Sequence, residues 1–92
     1  MVQVICAIYD QAVGAYGRPM FLRSDGEAIR MFQDEVNREV RDGMPNMMFD
    51  HPEHFSLWNL GKYDDASGQF VTPAQGAVEL VKGVQVAKRP QV

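Results

Sequence analysis

The feature that most constrains this chain is its opening run, Val2 to Tyr9, which is apolar on both sides of an extended backbone. Val and Ile dominate it, and Asp10 closes it, so it reads as a strand. Side chains alternate along a strand. Val2, Val4, Cys6 and Ile8 therefore share one face, and Gln3, Ile5, Ala7 and Tyr9 the other. A strand apolar on both faces belongs in the middle of a sheet, with something packed on each side. The chain has only 92 residues to supply those layers, which bounds it to one domain.

The main layer is legible further on. Ser24 and Glu27 have capping-box spacing, and Asp25 adds a negative charge where the helix dipole favours one. Ile29, Phe32, Val36 and Val40 then recur on one face at helical spacing. Arg38, Arg41 and Gly43 follow as stop signals, so the spacing predicts a helix over about 25 to 41. Before it, Gly14 and Gly17 mark a connection, and Met20 to Arg23 makes a short strand. After it, residues 42 to 54 read as irregular, with Asp50-His51-Pro52-Glu53-His54 as one helical turn carrying Pro52 at its first position. Phe55 to Tyr63 and Gln69 to Thr72 read as a hairpin around Asp64-Asp65-Ala66-Ser67-Gly68. Strict alternation puts Trp58 and Leu60 on one face of its first strand and Phe55, Leu57 and Tyr63 on the other.

Residues 77 to 87 carry two patterns: a helical turn at Ala77, Val78, Leu80 and Val81, and an alternating strand at Val84 and Val86. The order is β-β-α-β-β plus a C-terminal segment. It predicts an α+β domain over 1–87, a small antiparallel sheet with one main amphipathic helix on one face. Residues 88–92 form a basic, mobile tail. One helix covers one face; the C-terminal segment or a second copy of the chain is left to cover the other, and a homo-oligomer is expected.

Composition excludes several classes. The longest apolar run, Val4 to Tyr9, is too short to cross a membrane. The Met1-Val2-Gln3 start lacks the basic region of a signal peptide. A lone cysteine, Cys6, forms neither an internal disulfide nor a zinc knuckle, so a reducing cytoplasm is the expected location. Cys6 sits among Val and Ile with no local base, which makes it a buried hydrophobe rather than a nucleophile. Phosphate-loop, nucleophile-elbow and zinc-protease motifs do not occur, and no enzyme or cofactor is expected.

Four groups of side chains carry possible chemistry. His51 and His54 are spaced to share one side of a turn. Spacing positions no third ligand, so they read as a polar turn and no metal is assigned. Asp64 and Asp65 read as hairpin-turn chemistry rather than a cation site. Met44, Met47 and Met48 form an apolar patch in a polar loop, packed beneath it or offered to a partner. The net charge of −3 argues against simple phosphate attraction, yet it is unevenly spread. Lys62 stands against six carboxylates over 42–79, whereas Lys82, Lys88 and Arg89 face no acid in the last thirteen residues. Arg outnumbers Lys six to three, and Arg favours planar and bidentate partners. Arg18 and Arg23 lie near Tyr16 and Phe21, a mixture that single-strand binders use by stacking bases and holding phosphates. Arg30 and Arg41 lie on the polar helix face, where Arg30–Asp34 and Asp34–Arg38 have ion-pair spacing. The nucleic-acid candidates are therefore Arg18, Arg23, Arg30, Arg41, Lys88, Arg89, Tyr16 and Phe21.

Three ordered stretches also carry a family likeness. They are V-I-C-A-I-Y-D at 4–10, E-A-I-R-M-F-Q-D-E-V-N at 27–37 and H-P-E-H-F-S-L-W-N-L-G-K-Y-D-D-A-S-G-Q-F at 51–70. In that order the chain resembles the small nonstructural DNA-binding protein family of gokushoviruses, single-stranded DNA phages of the Microviridae. The resemblance implies a role in the switch to single-strand synthesis and packaging, within the infected host and outside the virion. It carries over no binding residue. Two functions follow as expectations: single-stranded DNA binding, and, as the alternative, a protein-protein adaptor acting on viral or host replication machinery.

Overall fold

A computed structural model describes residues 1–40 and 43–89. The sheet is built on two long antiparallel strands, β1 (Val2–Asp10) and β4 (Phe55–Asp64). Each carries two short strands on its outer edge. β2 (Ala15–Tyr16) and β3 (Met20–Leu22) pair with successive parts of β1. β5 (Gln69–Val71) and β6 (Val78–Lys82) pair with opposite ends of β4. The result is a six-stranded antiparallel sheet with one main helix on one face, an α+β fold. Among the described residues no helix is long and apolar enough to cross a membrane.

Helix α1 (Asp25–Val36) begins as its sequence demands. The Ser24 hydroxyl accepts from the Glu27 N–H at 3.1 Å. Glu27 reaches back one residue further than a capping box requires, accepting the Arg23 N–H at 3.1 Å. Ala28, Phe32 and Val36 are buried and meet Cys6, Leu22 and Leu57 of the sheet. Leu57 and Phe32 are among the largest fully buried side chains, each worth roughly 2–3 kcal/mol of burial.

The helix stops at Val36, about one turn short of the predicted end at 41, and Val40 is exposed rather than packed. The reason is two asparagines. Asn37 leaves helical geometry, and its amide donates to Gln33 O at 2.8 Å and Val86 O at 2.9 Å. Asn46 comes back over the helix end and donates to the Glu35 and Arg38 carbonyls, both at 3.0 Å. Side-chain amides thus take the partners that a longer helix would use. The Asn46 carbonyl oxygen accepts from Met48 N and starts α2 (Met47–Asp50).

The His51–His54 turn forms a 3-10 helix, Pro52–His54, with Pro52 at its start. The hairpin closes as read: Asp64 accepts from Ala66 N, the Ser67 hydroxyl and Gly68 N. The last segment reverses the two patterns noted for residues 77 to 87. Val78–Lys82 is the strand, and Gly83–Val86 is a helical turn, α3. β6 gains a ladder against Ser56 to Asn59, while Val86 and Ala87 pack on the helix side of the core. The C-terminal segment therefore strengthens the layer already covered by α1 and leaves the second face open.

Candidate nucleic-acid interface

The open face follows from strand register, since directly opposed residues share a face. Tyr9 opposes Tyr16 and Ser56; Ala7 opposes Trp58; Ile5 opposes Phe21 and Gly61; Gln3 opposes Tyr63, which opposes Phe70. Every one of these lies away from α1. Strict alternation along β4 puts Tyr63 on the face opposite Trp58. The structure puts both on one face, because Cys6 pairs with Asn59 while Ile5 pairs with Gly61, so Leu60 is an inserted residue in β4. Gly61 makes this possible. Its φ is +144°, and a Cβ there would collide with the Val71 carbonyl.

Six aromatic rings gather on this face in two groups. Tyr9, Tyr16 and Trp58 form one, with centroids 4.8 to 6.5 Å apart and edge-to-face geometry throughout. Phe21, Tyr63 and Phe70 form the other, at 4.9 to 6.3 Å. Edge-to-face pairing is the geometry that ring quadrupoles favour. Ile5 and Ala7 are buried on this face. Three of the rings stay accessible, Phe70 at 64% exposed, Phe21 at 46% and Tyr16 at 43%, while Tyr9, Trp58 and Tyr63 are half-buried. Trp58 is held by its indole N–H, which donates to the Ser56 hydroxyl at 2.8 Å. Such a face offers accessible π-surfaces on a rigid support.

Cations are scarce on it. Among the described strand residues in this register, Lys82 is the single one, and its Nζ is 3.0 Å from Glu79 Oε1. Lys82 and Trp58 also line a cleft of about 270 Å³ with Tyr9, Glu53 and His54.

The predicted site residues divide accordingly. Tyr16 and Phe21 both lie on the open face, one in each ring group. Arg18 is exposed in the β2–β3 connection and lines an apolar cleft of about 410 Å³ with Ile8, Met20, Met48 and Phe55, residues packed toward the helix side. Arg23 is paired with Glu27 at 2.8 Å. Its N–H first, and then its guanidinium, hold the Glu27 carboxyl below the usual range. Arg30 is exposed on α1, in the layer opposite the rings. The expected Asp34–Arg38 pair is replaced by Glu35–Arg38 at 2.7 Å. Arg41 lies outside the described residues. Lys88 is exposed, and its N–H donates to the Asn37 side chain at 2.8 Å. Arg89 is half-buried, 3.8 Å over the Phe49 ring, with its guanidinium donating to Val36 O at 3.3 Å. The basic candidates are thus dispersed, and Arg89 caps the end of α1. The Met group also splits: Met48 packs on the core, whereas Met44 and Met47 are exposed.

Reasoning from sequence missed Tyr9, Trp58, Tyr63 and Phe70 as members of one surface. Alternation placed Tyr9 correctly; nothing local announced the inserted residue that brings Tyr63 onto the same face.

In comparisons with known proteins, the family model described as Phage ORF5 protein matches residues 3–86. No curated protein and no solved structure matches the chain.

Proposed function

This chain belongs to the Phage ORF5 protein family, and from that premise we propose that it binds single-stranded viral DNA on the aromatic face of its sheet. The reading makes it a non-enzymatic, nonstructural protein of a small single-stranded DNA phage of the gokushovirus type. It acts in replication and packaging, in the cytoplasm of the infected host and outside the virion. The observation that carries the reading is the pair of ring groups on a sheet face that no described segment covers. Bases stack on such rings with little regard to sequence, at about 1–3 kcal/mol per base. With Lys82 as the face's single strand cation, phosphate contacts contribute little. The log–log salt dependence should be shallow, near −0.7 for about one phosphate contact.

The test is fluorescence anisotropy of a labelled oligothymidylate at two salt concentrations, with duplex alongside. Binding should favour the single strand, quench the Trp58 emission, and weaken roughly 5- to 100-fold in Phe70→Ala and Tyr16→Ala. No anisotropy change at micromolar protein and low salt overturns the proposal.

The scarcity of cations favours a second reading, in which protein covers the same face: a second copy of the chain, or a viral or host replication protein, with Met44 and Met47 as further contact. Light scattering decides for self-association if the mass is that of a dimer and Phe70→Asp returns it to a monomer.

A further inference from the structure

The turn between α2 and β4 brings three metal-ligating side chains together. His51, Glu53 and His54 each offer a donor atom, and all three donors lie within 4.8 Å of one another. The two imidazoles are near parallel, 18° apart with centroids at 5.2 Å. His51 Nδ1 is 3.3 Å from Glu53 Oε1. His51 and Glu53 are exposed and His54 is half-buried, so an ion held here keeps coordination positions open to solvent.

The backbone beneath these donors is pinned from several directions. His51 N–H donates to Met47 O at 2.8 Å, and His54 N–H to His51 O at 3.0 Å. The His54 carbonyl accepts from Gln11 N at 2.8 Å, which ties the turn to the end of β1. Pro52 is buried, and its carbonyl sits so close to Gly83 that a Cβ at that position would collide with it. The donors therefore stand on a fixed base. Preorganisation of this kind is what a metal site requires of its scaffold.

We propose that His51, Glu53 and His54 form a surface site for a borderline transition-metal dication such as Zn²⁺, Ni²⁺ or Cu²⁺. Two imidazoles and one carboxylate suit those ions at bond lengths near 2.0–2.2 Å. Mg²⁺ and Ca²⁺ prefer an all-oxygen shell and are excluded by the same chemistry. The two-histidine spacing was visible in the sequence; the third ligand, Glu53, is positioned by the 3-10 turn. Glu53 and His54 also line the cleft that contains Trp58, the protein's single tryptophan. A paramagnetic ion in the site sits close enough to report on that indole.

The experiment is calorimetric titration of the full chain, purified without a polyhistidine tag, with ZnCl₂ at neutral pH. Titration with CuCl₂ follows Trp58 fluorescence. One Zn²⁺ per chain is expected, unaffected by excess MgCl₂, with quenching by Cu²⁺ at the same stoichiometry. His51→Ala and His54→Ala should each weaken binding about 10-fold or more, with unchanged circular dichroism, and Cys6→Ser should retain it. No zinc binding in the micromolar range overturns the site. So does binding that persists in the double variant His51→Ala/His54→Ala, or that is lost in Cys6→Ser alone.

Discussion

Cys6 shows how one residue takes its chemistry from its neighbours. It is fully buried in the core between α1 and the sheet. Burial first, and then the charge of Asp25, push its thiol up to about 11. A raised value means that the folded protein favours the neutral thiol. The resulting stability is present below the ordinary thiol value of 9.0 and is lost as pH rises through about 11. The thiol should react with Ellman's reagent slowly at pH 8 in the native protein and promptly in urea; prompt native reaction contradicts this burial. Urea midpoints should fall between pH 8 and pH 11, less so in Cys6→Ala. Gly61 works through the backbone instead. Its positive φ and its contact with the Val71 carbonyl admit no side chain, and they permit the inserted residue that sets the aromatic face.

At the scale of elements, the start of α1 is local and its end is not. Ser24 and Glu27 stand within one turn of each other; the Ser24 cap forms as the spacing implies, while the Glu27 carboxylate accepts from the Arg23 N–H, one residue earlier. The end depends on Asn46, eleven residues beyond Glu35, whose single buried amide satisfies the Glu35 carbonyl of α1 and the Arg38 carbonyl just beyond it and starts α2. Asn46 is 4% exposed, so its removal leaves those groups unpaired in a dry place. Asn46→Ala should cost about 2–3 kcal/mol, read as a lower urea midpoint with an unchanged slope. A loss below about 0.5 kcal/mol would mean that water replaces the amide. The exchange of strand and helical turn between Val78–Lys82 and Gly83–Val86 has the same origin. Both segments are rich in valine and carry weak local signals. A free ladder beside Ser56 to Asn59 decides for the first, and the close approach of Pro52 to Gly83 places the second.

For the whole molecule, the two faces of the sheet do different work. One is a core, in which Phe32, Val36 and Leu57 are buried between layers. The other keeps Phe21 and Phe70 accessible on top of Ile5 and Ala7. Stability should follow that division. Phe32→Ala should cost about 3–5 kcal/mol, whereas Phe70→Ser, at 64% exposure, should cost about 1 kcal/mol or less. Equal losses in thermal melts would mean that the aromatic face is covered in solution, and the light-scattering mass would show whether by a second copy. Arg18, Arg30, Lys88 and Arg89 are dispersed over the other layer and its edges, so the proposed binding on the aromatic face would rest on stacking.

The sequence by itself determined the α+β class, the central first strand, the capped start of α1, the Pro52 turn and the Asp64 hairpin. Each rests on signals a few residues apart: alternation, a capping pair, a proline at a helix start, an aspartate before a glycine. It also determined Tyr16 and Phe21 as candidates, since aromatic and basic residues cluster near them. Tertiary structure alone decided the rest. Asn37 and Asn46 end α1 through partners distant in sequence, and Leu60 is inserted against β1. Tyr9, Trp58, Tyr63 and Phe70 join one surface only because β4 lies beside β1 in that shifted register. Glu53 completes a three-donor set only once its turn is folded. Those outcomes depend on which carbonyls, ladders and cavities other segments leave open, and such vacancies exist only after the chain has packed.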